Sequence, residues 1–142
     1  MTYKEIKAAI VKKLREIEPD IPIYGTDTTE GYQTPCFFVS INVELTEGGY
    51  NVKEKTLYAE ILKVQPAADE VEALEFFQKI EEAFYPKLQV GDRFLTTSDF
   101  SHDFEGDHRN VPYVEFQSDF YDAVPHKTDA KTLQEVRLKE EI

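Results

Sequence analysis

Apolar residues first recur at three-to-four spacing near the start of the chain, where Ile6, Ile10, Leu14 and Ile17 fall on one helical face. Lys4, Lys7, Lys12, Lys13 and Arg15 take much of the rest of the circumference. Thr2 and Glu5 stand at capping-box spacing, which predicts a helix from about Tyr3 to Glu18, ended by Pro19. The period then changes to two. Phe37, Val39, Ile41, Val43 and Leu45 alternate with Ser40, Asn42 and Glu44, the pattern of a strand with one buried face. Pro35 has no N–H to give a ladder and marks the start of that strand. Ahead of it, Ile21 to Gly25 reads as a short edge strand and the polar run Thr26 to Thr34 as a loop.

Glu47-Gly-Gly-Tyr-Asn51 supplies the turn of a hairpin, and Val52 to Val64 returns as its antiparallel partner. Leu57, Ala59 and Ile61 share a phase with Lys53, Lys55 and Lys63, which predicts a buried centre and exposed lysines at the ends; Tyr58 and Leu62 lie on the opposite face. Strands of this length exceed the usual five or six residues, so the hairpin is expected to project and meet a neighbour. Lys53, Lys55 and Tyr58 are the candidate contact residues. Pro66 and Asp69 introduce a second helix with Ala73, Leu74, Phe77, Ile80 and Phe84 facing inward and Glu72, Glu75, Glu81 and Glu82 facing water, until Pro86.

Leu88 to Val90, a Gly91-Asp92 turn and Arg93 to Phe100 predict further strand, Ser101 to Asn110 a loop, and Pro112 to Asp122 a final strand with Val114, Phe116 and Phe120 inward. The order α-β-β-β-α-β-β-α, with strands paired as hairpins, predicts an α+β fold: an antiparallel-dominated sheet with helices on one face. Phe37, Val39, Ile41, Phe77 and Phe116 should share one core. Residues 1–125 form a single domain in this reading; 126–142 form a tail whose ragged stripe of Leu133, Val136, Leu138 and Ile142 suggests a short helix.

A chain of 142 residues suffices for one core without metal or disulfide. The lone Cys36 has no internal partner, and the opening Met-Thr-Tyr-Lys-Glu leads into an amphipathic helix rather than a secretory segment, so a soluble protein made in a cytoplasm is expected. No apolar run approaches the roughly 20 residues that span a bilayer. The net charge of −12 repels phosphate backbones and argues against direct, sequence-specific nucleic-acid binding.

Catalytic signatures are missing: there is no P-loop, dinucleotide glycine pattern, zincin helix or nucleophile elbow. The nearest to a metal-ligand cluster is His102, Asp103, Glu105, Asp107 and His108, which also suits an exposed, acidic hairpin loop. Cys36 reads either as a nucleophile or as a small buried hydrophobe, and a nucleophile would need a base that the sequence does not identify. Tyr32, Tyr50, Tyr58, Tyr113 and Tyr121 suit an interface or the rim of a core, and the basic first helix suits phosphate or plain solvation. No cofactor, essential metal or catalytic activity is expected.

Ile23-Tyr24-Gly25, Gly31-Tyr-Gln-Thr-Pro-Cys-Phe-Phe38 and Tyr58-Ala-Glu-Ile-Leu62, behind the helix Ile6 to Leu14, resemble the tail terminator family of tailed phages, prophages and phage-tail-like particles of Gram-positive bacteria. The likeness runs from Tyr3 to about Asp122. It implies a structural, non-enzymatic protein that assembles with itself, usually as a six-membered ring. That ring would sit on the last layer of tail-tube protein, stop tube growth and offer a surface to a head connector or neck protein. Its place is a virion or particle tail, assembled in the bacterial cytoplasm. An acidic surface or ring lumen would keep passing DNA from sticking, with Asp99, Asp103, Glu105 and Asp107 as candidates beside Glu115, Asp119 and Asp122. Alternatives are a head-tail connector or tail-completion subunit, an acidic DNA mimic that inhibits a nucleic-acid-binding protein, and a metal-dependent hydrolase built on the His102 cluster.

Overall fold

A computed structural model describes residues 1–46, 48–67, 69–106 and 111–123. Helix α1 (Tyr3–Ile17) begins where Thr2 Oγ1 accepts a hydrogen bond from the Glu5 N–H at 3.1 Å, and it buries Ile6, Ile10 and Leu14. Ile17, one turn further on, is half-buried against the same core. Then follow β1 (Ile23–Tyr24), β2 (Cys36–Thr46), β3 (Val52–Val64), α2 (Glu70–Phe84), β4 (Lys87–Val90), β5 (Arg93–Thr96), β6 (Ser98–Glu105) and β7 (Val111–Ala123). Asp69 caps α2 by accepting from the Val71 and Glu72 N–H groups. The fold is α+β, as expected.

The main sheet has the order β1-β2-β3-β7-β6; only the two-residue edge strand β1 runs parallel to its neighbour, and β4 and β5 form a separate hairpin. Register fixes the two faces. Val39, Ile61 and Val114 stand in one row across the sheet and Ile41, Ala59 and Phe116 in the next, and these side chains meet α1 and α2 in one apolar cluster. Phe84 stacks on Phe116 at 5.3 Å between ring centres, and Phe37 on Phe76 at 5.8 Å. Leu88, Val90 and Leu95 of the β4–β5 hairpin close the core beside α1. Both helices therefore lie on one side.

Five expectations need correction. Leu74 is 52% exposed and Phe76 is buried instead, because the inward arc of α2 runs through 73, 76, 77, 80 and 84 and leaves position 74 to one side. The segment expected to be a loop from Ser101 is strand as far as Glu105; a bulge between Ser98 and Ser101, with Asp99 at φ 54°, shifts the phase by one residue. Phe100, His102 and Phe104 then all point toward the helices, as their contacts with Phe116 and Phe77 show. The metal-ligand cluster dissolves with this. His102 stacks on Phe77 at 4.3 Å, Asp103 and Glu105 point the other way, and Asp107 and His108 lie outside the described residues, as do the tail and its expected helix.

The long hairpin is likewise not a free two-stranded arm, since β7 pairs with β3 from Leu62↔Tyr113 to Val52↔Ala123. Burial along β2 fades toward the turn, and Leu45 is 59% exposed. Lys55 is not an exposed strand-end lysine: it is 8% exposed, with its Nζ 3.5 Å from Asp122 Oδ2 and 4.7 Å from the Tyr3 ring centre. Burial pulls its pKa down, but the Tyr3 and Asp122 partners outweigh that and raise it above the ordinary lysine value. Asp122 Oδ1 also lies 3.4 Å from Arg93 and 4.0 Å from the Met1 ammonium, so one carboxylate joins β7 to β3, β5 and the start of α1.

Phe77→Ala should lower unfolding free energy by about 3–5 kcal/mol in denaturant titration, whereas exposed Leu74→Ala should fall within about 0.5 kcal/mol. A loss below about 1 kcal/mol at Phe77 would show the inward arc to be wrong. Asp122→Ala should cost about 2–3 kcal/mol, because it strips a buried lysine of its counter-charge; an unchanged midpoint would show that the cluster contributes no net stability.

Candidate functional site

With α1 and α2 on one side, the other face of the sheet carries no covering layer among the described residues. Register places Ser40 opposite Glu60 and Glu60 opposite Glu115, with Ser101 of β6 next in the row. The neighbouring rows add Glu44, Thr56 and Asp119, then Asn42, Tyr58 and Gln117, then Phe38, Leu62, Tyr113 and Asp103. Glu54 and Tyr121 extend the face toward the turn, and Glu105 lies two residues beyond Asp103. Asp99 at the bulge lines the same shallow depression as Tyr58, Glu60 and Glu115. No lysine or arginine stands on this face among the described residues; Lys53, Lys55 and Lys63 all have the opposite phase.

The carboxylates feel one another. Glu60 is pushed up to about 7, first by burial, then by the Glu105 charge, and then by its hydrogen bond and charge interaction with Glu115. Two carboxyl groups facing each other across β3 and β7 thus hold a proton near neutrality. Tyr58 donates to Glu44 Oε2 at 3.1 Å, and that bond, with some burial and the Glu44 and Asp119 charges, raises its phenol. Tyr113 is raised by burial and by Glu115, Asp103, Glu105 and Glu60 together. At the β1 end, Tyr24, Tyr32 and Phe38 form an aromatic cluster with ring centres 5.2–6.4 Å apart. The face is therefore anionic in its middle and aromatic toward one end.

Of the sequence-predicted site residues, Asp103 and Glu105 come together here with Glu60 and Glu115, Asp99 borders them, and Asp107 lies outside the described residues. Asp122 belongs to the helix side, neutralised by Lys55, Arg93 and the amino terminus. Tyr58 is on the acidic face, and Lys53 and Lys55 are not. Glu44, Glu54 and Glu60 were not singled out from the sequence, although each has the polar phase of its strand. Cys36 is fully buried outside the main cluster, and burial pushes its thiol up, away from the thiolate a nucleophile needs. No group of three metal-binding side chains is found among the described residues, and no helix among them is long and apolar enough to cross a membrane.

A family profile described as phage tail terminator protein matches residues 5–130. The chain belongs to the phage tail terminator family. Among solved structures, a protein identified only by a reference number aligns with this terminator at a TM-score of 0.49 and 15% identity, over 89% of this chain and 98% of its own. A likeness that distant carries no functional argument. Curated proteins yield no match to the terminator. The acidic face, uncovered among the described residues, is thus a feature of a member of a phage tail protein family.

Because Glu60 takes up its proton at higher pH when folded than when unfolded, the folded state binds more protons between about pH 4.5 and 7. Its effect on stability is accordingly least unfavourable at low pH and worsens as pH rises through 7. Glu60→Gln should raise the melting temperature at pH 8 and leave it nearly unchanged at pH 4.5. Equal shifts at both pH values would show that the cost of ionising a half-buried Glu60 among its acidic neighbours is not what the glutamine removes.

Proposed function

We propose that the protein caps the tail tube as a ring of identical subunits, six in number, ends tube polymerisation, and provides the surface to which the head connector or neck protein attaches. The reading rests on the family match across residues 5–130. The fold is compatible with it: among the described residues, one sheet face is left uncovered and has surface to share with neighbours, and its polar residues line a shallow depression. The partners in this reading are further copies of the chain, the tail-tube protein and a neck protein, in the tail of a virion or phage-tail-like particle assembled in the bacterial host cytoplasm. The strong negative charge keeps the subunit from sticking to the DNA that passes through a tail.

Deleting the gene from its phage or particle should give over-long tails of broad length distribution without attached heads, seen by negative-stain electron microscopy, and supplying the wild-type chain should restore one length. Tails of normal length in the deletion would remove the capping function.

A further inference from the structure

We propose that the carboxylate-and-tyrosine face of the sheet in one subunit receives the lysine-bearing outer face of α1 from the next copy of the chain, in a head-to-tail contact. The inference rests on the ring assembly proposed above and names the surfaces that join it. Its first support is charge. The uncovered face holds Glu60, Glu105 and Glu115 with no lysine or arginine on it among the described residues, while α1 exposes Lys4, Lys12 and Arg15 and half-exposes Lys7 and Lys13 against two exposed acids, Glu5 and Glu16. Lys87 of β4 lines one groove with Lys12 and Lys13, and Glu5 and Glu16 share it, Glu16 lying 3.8 Å from Lys13, so the surface keeps a net positive charge of one among these five. The outer face of α2 is the wrong sign, with Glu70, Glu72, Glu75, Glu81 and Glu82 against Lys79. Segment 124–142 carries four acidic and four basic residues, so its net charge offers no complement either.

The second support is geometry. In each subunit α1 packs by Ile6, Ile10 and Leu14 on the opposite side of the sheet, so its lysines point away from that subunit's own carboxylates. Only another copy can bring the two together. Two different patches meeting between identical chains make a heterologous contact, the kind that closes a ring when the rotation per subunit permits. The contact would bring cations to the Glu60–Glu115 pair, whose charged neighbours on this face are carboxylates among the described residues. The exposed tyrosines of the face add the broad, low-entropy contact area typical of interfaces.

The test is zero-length carbodiimide coupling of the full-length chain, which joins amines to carboxylates only where they touch, with the covalent dimers mapped by peptide mass spectrometry. The expected dimers link Lys4, Lys7, Lys12 or Lys13 to Glu60, Glu105 or Glu115, and their yield falls at least tenfold in 1 M salt, where charges are screened within about 3 Å. Lys4→Glu with Arg15→Glu, and separately Glu60→Lys with Glu115→Lys, should each abolish them. All four changes in one chain should restore them, with links formed in the opposite sense. Glu60→Gln with Glu115→Gln, which keeps side-chain shape, should lower the yield even if the reversal at Glu60 disturbs folding. Dimers linked elsewhere, links from Lys127, Lys131 or Lys139 to the face, failure of the fourfold variant to recover, or no dimers from the wild-type chain would each overturn the proposal. Normal-length tails in the deletion strain would instead remove the capping function and leave a trapped contact standing.

Discussion

One-sided burial of a sheet governs this molecule. Side chains of a strand alternate strictly between faces, so once α1 and α2 settle on one face of the β2-β3-β7 centre, every second residue is committed to the core and the rest to the outside. On the helix side Phe37, Ile61, Phe84 and Phe116 are almost completely removed from water, each contributing on the order of 1.5–3 kcal/mol. A slip of one residue in β3 would exchange its inward Lys55, Leu57, Ala59 and Ile61 for Thr56, Tyr58, Glu60 and Leu62. Burying even one unpaired carboxylate in the exchange would cancel the gain of several apolar residues, so the register is strongly specified.

The same constraint explains what the sequence revealed. The α1 stripe, the Cys36–Thr46 and Val52–Val64 strands and the caps at Thr2 and Asp69 are local patterns, and they appear where the period and end signals put them. What could not be read locally depends on pairing. Lys55 has the phase of Leu57 and Ala59, and whether a lysine there is exposed or buried is decided by Asp122, far along the chain on β7, and by Tyr3 on α1. The Ser98–Glu105 strand was obscured by its bulge, since the extra residue at Asp99 breaks the alternation a reader would count. The signal that survives is the spacing of Phe100, His102 and Phe104, which continues beyond the bulge with period two.

The acidic face was legible only in part for the same reason. Asp103, Glu105 and Glu115 stand out because the last hairpin is crowded with acids, whereas Glu44, Glu54 and Glu60 are single polar positions on the first long hairpin. They become one surface through the β2-β3-β7 registers, and the raised proton affinity of Glu60 is the physical trace of that convergence. In a member of the phage tail terminator family this gives the described residues two unlike sides, basic at α1 and acidic on the outer sheet face. Asp122 shows the contrast, since a carboxylate of β7 with the other phase is taken up by Lys55, Arg93 and the amino terminus and serves the fold.

The most direct test of the account is a cryo-electron microscopy reconstruction of the tail end with the terminator in place, at a resolution that traces side chains. The account predicts that the sheet face bearing Glu60 and Glu115 is covered by α1 of the adjacent subunit, with Lys4 or Lys12 within hydrogen-bonding distance of those carboxylates. A reconstruction in which that face lines the open lumen, or meets the tube protein while α1 stays in solvent, would contradict it.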